Sequence, residues 1–151
     1  MSQVKPVVCR EFPFDSAMYR EAKQLREMVL RLPLGLHSTA HDFLGEEHSY
    51  HLGAYLEDRL AGVLILRPLE SGTVQMRQVA VAPELQSHGV GSALVRYAEQ
   101  FAAERGFTTM MAHARESALE FYRKLHYQVT SERFIEIGIP HFIIEKTLTT
   151  P

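Results

Sequence analysis

A strand, a turn carrying two glycines, an amphipathic helix and a second strand follow one another over residues 73–114, and this unit constrains the fold most. Residues 73–82 are rich in valine and are closed by Pro83. From Gly89 or Val90, the residues Leu94, Tyr97, Ala98, Phe101 and Ala102 recur on one side of a helix that runs to Arg105. Gly106 then supplies a left-handed stop. Residues 107–114 read as the next strand. Two strands joined through a helix lie parallel, with a right-handed crossover.

The rest of the chain is different in kind. Val4, Val7, Val8 and Phe12 mark an opening strand over 3–12. Asp15 or Ser16 caps a helix whose stripe is Met18, Ala22, Leu25, Val29 and Leu32, and Pro33 stops it. A loop or short helix follows over 34–47, punctuated by Gly35 and Gly45. Residues 50–56 and 60–67 form a hairpin through the polar turn Glu57-Asp58-Arg59. Pro68 and Ser71-Gly72 close its second strand. A short helix over 117–125 shows Ala118, Phe121, Tyr122 and Leu125 on one face. Two closing strands fit 127–137 and 141–148, with Gly138 and Pro140 between them. Hairpins around one parallel unit make an α+β domain: a mixed, mostly antiparallel central sheet flanked by helices. No repeat or linker divides residues 1–151, so the chain reads as one domain.

Composition narrows the function classes. Lys plus Arg is 16 and Asp plus Glu is 18, a formal charge of 16 − 18 = −2. That balance gives no case for nucleic-acid binding. The longest apolar run, Val63-Leu64-Ile65-Leu66, is a strand's worth, and Met1-Ser2-Gln3-Val4-Lys5-Pro6 opens no secretory signal. No membrane segment is expected. The single cysteine, Cys9, forbids an intrachain disulfide and reads as a buried thiol. A reducing, cytoplasmic home is the simple reading. The eight histidines form no HExxH or HxH cluster, so no metal is expected. His48 and His51 flank a strand start and read as structural, while His37 and His41 fall in a segment suited to lining an acceptor pocket.

The turn carries the chemistry. The first N–H groups of a helix lack internal partners, and the macrodipole places positive charge there. Gly89 and Gly91 remove the Cβ atoms that would hold an anion away, and Gln86 and Ser87 offer side-chain donors. The same glycines serve equally well for close packing of a strand on a helix. The turn is not a Walker loop, since no Gly-Lys-Ser/Thr follows, and it lacks the three glycines of a dinucleotide fingerprint.

Three phrases in order resemble the GNAT superfamily of acetyl-CoA-dependent N-acyltransferases. Val81-Ala82-Pro83 and then Gln86-Ser87-His88-Gly89-Val90-Gly91 are similar to the family's Gln/Arg-x-x-Gly-x-Gly/Ala motif after a strand. Residues 118–127, with Phe121-Tyr122 inside them, resemble its Ala-x-x-Phe-Tyr-x-x-x-Gly-Phe/Tyr phrase. Glu136-Ile137-Gly138-Ile139-Pro140-His141 resembles a Gly-Ile-Pro-His phrase of some members. Two positions depart: His126 stands where the family has Gly, and Arg115 where many members have Asn.

The resemblance implies acetyl-CoA as co-substrate and no metal. The pantetheine arm would pair with Val79, Ala80 and Val81, and the pyrophosphate would take the N–H groups of Gln86, Ser87, His88, Gly89, Val90, Gly91 and Ser92. An amine would attack the thioester directly in a ternary complex, with the backbone near Val81 steadying the oxyanion. Tyr122 matches the acid that protonates the leaving thiolate, although it also suits the wet edge of a helix. An alkyl amine with a pKa of about 10.4 is neutral in roughly one molecule per thousand near pH 7, so a base is needed. His141 is the first choice and Glu136 the second. His113, beside the expected opening between strands, reads as packed or hydrogen-bonded. The acceptor is a small-molecule or peptide amine, and a homodimer is the commonest assembly. Three rivals remain open: an acyl-CoA sensor on the same fold, a protein-interaction module and a nucleotide binder.

Overall fold

A computed structural model describes residues 6–149, so the part of the expected opening strand at residues 3–5 lies outside the described residues. The chain divides into two compact units, one of Met1–Arg67 with Gln78–Ala98 and the other of Pro68–Arg77 with Glu99–Pro151. The elements are β1 (Val7–Phe12), α1 (Ala17–Arg26), β2 (Tyr50–Leu56), β3 (Arg59–Pro68), β4 (Thr73–Val81), α2 (Val90–Glu104), β5 (Thr109–Arg115), α3 (Leu119–Lys124), β6 (Gln128–Val129), β7 (Phe134–Glu136) and β8 (Ile139–Thr147). The pairs β1–β2, β2–β3, β5–β8, β6–β8 and β7–β8 are antiparallel and β4–β5 is parallel, as in a mixed, mostly antiparallel α+β fold.

In the first unit β1 pairs with β2 and β2 with β3. Val63, Leu64, Ile65 and Leu66 are all buried, which explains why β3 is apolar on successive residues rather than alternate ones. The hairpin turn is tighter than expected. Glu57 and Asp58 both take positive φ, 49° and 63°, so two residues make the turn and Arg59 joins β3 opposite Leu56. Cys9, expected to be buried, is half-buried on β1.

Ser16 caps α1: its Oγ accepts from the Tyr19 N–H at 3.2 Å. The helix does not run regularly to Pro33. It widens at Glu27–Arg31, where the Leu32 N–H reaches back five residues to the Glu27 carbonyl, and Pro33 lies inside a following 3-10 turn. A proline cannot continue the α ladder, so the turns before it rearrange instead. The register slips with them, and Leu32 is 49% exposed rather than on the buried stripe.

Beneath α1, Arg26 forms a two-pronged pair with Glu46, at 2.9 and 2.7 Å. The Tyr19 hydroxyl donates to the same carboxylate at 2.7 Å, and buried His51 donates through Nε2 to the Glu46 carbonyl oxygen at 2.8 Å. Sequence reading gave His51 a structural place but missed the pair. Gly62 lets the start of α2 approach β3, since a Cβ there would meet Val90 Cγ1 at 3.1 Å.

In the second unit, residues 73–76 of β4 pair in parallel with 109–112 of β5, and β8 runs antiparallel along the whole of β5. The expected strand over 127–137 is two short strands, both pairing with β8. Ser131 interrupts it, because its Oγ accepts the Ile143 N–H at 2.8 Å in place of a backbone carbonyl. Ile137 and Gly138, with φ of 46° and 78°, turn β7 into β8. Pro140 therefore belongs to β8, not to the turn.

Candidate functional site

The expected residues divide between the two units. In the first, β4 ends with Ala80 buried and Val79 and Val81 half-buried, one residue after Gln78 takes a φ of 55°. Pro83–Leu85 makes one 3-10 turn. The Gln86 side-chain amide donates to the Val81 carbonyl oxygen at 3.2 Å and ties the loop to the strand. That donor, offered to a ligand by the sequence reading, is used within the chain. His88 Nδ1 likewise donates to the Gln86 carbonyl oxygen at 3.1 Å.

Ser87 and Gly89 both take left-handed backbone, with φ of 71° and 79°. A Cβ built on Gly89 would meet nothing within 4 Å, so the space outside the turn is open and only the backbone angle calls for glycine. Ala93 is the first N–H to bond back into α2, to the Gly89 carbonyl at 3.1 Å. The N–H groups of Val90, Gly91 and Ser92 precede that turn and have no partner within the helix. No acidic side chain occurs from Gln86 to Ser92 or in the first turn of α2. A helix start with free donors, no carboxylate and open space suits an anion.

In the second unit Tyr122 is buried, which excludes the wet-edge reading. Its ring meets Phe121 edge-on at 5.0 Å and Tyr127 at 5.6 Å. Burial alone pushes its phenol up to about 12. Tyr127 differs: its hydroxyl donates to Glu99 at 2.8 Å, and Lys146 holds the same carboxylate at 2.8 Å. His126, where the resembling family has Gly, takes a φ of 73°, so the turn keeps the glycine geometry without the glycine.

Glu136 and His141 come together with His113, which the sequence places as packed or hydrogen-bonded and which is hydrogen-bonded here. His113 Nδ1 donates to Glu136 Oε1 at 3.0 Å, and His141 Nε2 lies 3.7 Å from Glu136 Oε2. His141 is buried, and its Nδ1 donates to the Ile139 carbonyl oxygen at 2.9 Å. Phe134 stacks on His141 with ring centroids 5.9 Å apart and meets His113 edge-on at 5.3 Å. Strand alternation in β5 explains where His113 lies. Met110, Ala112 and Ala114 are buried, so alternation puts His113 and Arg115 on the other face at the strand's end. Arg115 itself pairs in register with His141. Among the described residues no group of histidine, cysteine or carboxylate side chains could hold a metal ion, and no helix is long and apolar enough to cross a membrane.

Residues 14–127 match the family model described as "Acetyltransferase (GNAT) family". The chain is 30% identical to the uncharacterized N-acetyltransferase YjcF of Bacillus subtilis over 102 residues, which cover 67% of this chain and 72% of that one. A crystal structure of a candidate N-acetyltransferase from Lactobacillus plantarum superposes with a TM-score of 0.82 at 26% identity, over 97% of this chain and 100% of the other. A Bacillus subtilis acetyltransferase solved in complex with CoA shares the fold, with a TM-score of 0.72 at 21% identity over 95% of this chain and 100% of that one. The glycine-bearing turn of the first unit falls within the matched residues, as does Tyr122 of the second, and the chain belongs to the GNAT family of acetyltransferases.

Proposed function

We propose that the chain moves the acetyl group of acetyl-CoA to a primary amine, carried by a small molecule or a peptide, by direct attack in a ternary complex. The observation that carries this reading is the start of α2, where Val90, Gly91 and Ser92 lack helical partners and Gly89 faces open space. A diphosphate there would meet donors and the positive end of the helix dipole, with no carboxylate among residues 86–92. Gln86 and His88 shape the loop, and the pantetheine arm is assigned to the backbone of Val79, Ala80 and Val81, with Ser87 beside the pyrophosphate. Bound acetyl-CoA would supply an activated acyl group and a thiolate leaving group.

Tyr122 is assigned to the leaving sulfur. A phenol pushed up to about 12 keeps its proton until a strong acceptor arrives. A buried thiolate is such an acceptor, because the burial that disfavours phenolate disfavours thiolate as well. Proton removal from the amine is assigned to the group of Glu136 and its two imidazoles, His113 and His141.

A thiol-release screen of amines with acetyl-CoA tests the reading. The expected result is CoA release that depends on both reactants, with CoA binding seen independently by calorimetry. Binding without turnover on any amine would make the chain an acyl-CoA sensor. Absence of binding would leave an interaction module. Equal binding of adenosine phosphates lacking pantetheine would indicate a nucleotide site.

A further inference from the structure

We infer that His113 Nε2 is the atom that takes the proton from the attacking amine and that Glu136 is its positioning residue, an inference that rests on the acetyl transfer proposed above. Three groups compete for the role. Glu136 is engaged, because Oε1 accepts from His113 at 3.0 Å and Oε2 faces His141 at 3.7 Å. His141 donates through Nδ1 to the Ile139 carbonyl oxygen at 2.9 Å, and its side chain is only 4% exposed, which keeps its Nε2 from a substrate. His113 is different. A carboxylate only accepts, so the hydrogen sits on Nδ1, and the neutral ring is left with a lone pair on Nε2. Its side chain is 31% exposed.

The surroundings also hold the ring in its orientation. Phe134 meets the imidazole edge-on, with an interplanar angle of 80°, and β7 carries both Phe134 and Glu136 to it. A carboxylate that holds one imidazole nitrogen and leaves the other for proton transfer is a recurring arrangement in acyl-transfer chemistry. In the step, the amine nitrogen bonds to the thioester carbonyl carbon and its N–H bond breaks. The electron pair stays on nitrogen and the proton passes to His113 Nε2, then to solvent. The C–S bond breaks, and the thiolate takes a proton from Tyr122, which is restored from solvent.

His113→Asn separates this role from a structural one. The asparagine amide nitrogen reaches the Nδ1 position and can keep donating to Glu136, but it offers no base. With the purified full chain and an amine found by the thiol-release screen, kcat is expected to fall roughly 10²–10⁴-fold. CoA binding and the thermal midpoint should stay unchanged. His113→Ala should regain part of its activity when imidazole is added. Glu136→Ala should lower kcat and leave the KM for acetyl-CoA as it was. Activity of His113→Asn within about twofold of the unaltered chain overturns the inference, since base catalysis should supply far more. So does a His113→Ala variant that binds CoA normally and gains nothing from imidazole. No turnover by the unaltered chain on any amine removes the transfer reading and this inference together; turnover with an unimpaired His113→Asn removes the inference alone.

Discussion

Two of the chain's glutamates, Glu46 and Glu136, each keep a histidine within hydrogen-bond reach, and their surroundings part them. Glu46, in the first unit, is 3% exposed and saturated: Arg26 grips both oxygens, Tyr19 adds a third hydrogen bond, and His51 bonds to the residue's own carbonyl. Glu136, in the second unit, has a side chain 44% exposed and one hydrogen bond of good length, to His113. A buried ion is stable only when it is well partnered, and both oxygens of the Glu46 carboxylate are spent on partners within the chain. A half-exposed carboxylate with one imidazole leaves a basic nitrogen at large. The same residue types make a brace in one place and, on the inference above, hold a proton acceptor in the other, and the difference lies in burial and in how many donors each carboxylate already has.

The comparison predicts its own largest effect. Glu46→Ala would strand the Arg26 guanidinium in a buried place where its Nε already lacks a partner, costing about 3–5 kcal/mol. Urea unfolding should register this as a large drop in midpoint, and the fraction still folded should keep its rate of thiol release. Glu136→Ala should do the reverse, lowering turnover and leaving the urea midpoint in place. A similar loss of stability from both substitutions would collapse the distinction.

Two tyrosines extend the comparison at a smaller scale. The Tyr19 hydroxyl donates to Glu46 at 2.7 Å, and burial followed by the Glu46 carboxylate pushes its pKa up. Tyr19→Phe should cost about 1.5–3 kcal/mol, the value of a hydrogen bond to a charged acceptor. For Tyr122, burial is the sole cause of its raised value of about 12. Tyr122→Phe should leave stability unchanged and slow thiol release by roughly 10²-fold, the usual cost of a donor aimed at developing charge. Undiminished turnover in Tyr122→Phe would remove the acid assignment.

Legibility followed range along the chain. Ser16, Gly89 and Gly106 act within a turn or two, through caps and positive φ, and each could be placed from neighbouring residues alone. Arg26 and Glu46 are 20 residues apart, and His113 and Glu136 are 23 apart, so nothing local announces either pair. Glu46 sits in an acidic dipeptide that reads as solvated. His113 could be placed as packed or hydrogen-bonded from its strand, but its carboxylate partner could not be named. Tyr122 was found only through a family phrase, because amphipathic spacing places it equally well on a wet edge or in the core. The division of the closing strand depended on one side chain, Ser131, taking a backbone partner's place.

The smallest effect concerns acid, and it comes from the braced side alone. Burial, the main cause, holds the His51 imidazole below its ordinary 6.5, with the Arg26 charge adding to it and Glu46 opposing. The unfolded chain therefore binds a proton that the folded chain refuses. His51's contribution is complete above 6.5 and declines as the pH falls below it, by at most about 1.4 kcal/mol per pH unit for one proton. Glu46 adds a second, more acidic step. Burial raises its carboxyl, but the hydrogen bonds and charge of Arg26 outweigh it and the net value lies below 4.5. Its contribution is present above 4.5 and is lost as the pH falls through the folded value. Urea midpoints should therefore decline as the pH falls below 6.5, and His51→Gln should flatten that decline while keeping the more acidic step. An unaltered slope in His51→Gln would mean that the brace around Glu46 takes up the proton without cost, and the contrast with Glu136 would then rest on burial alone.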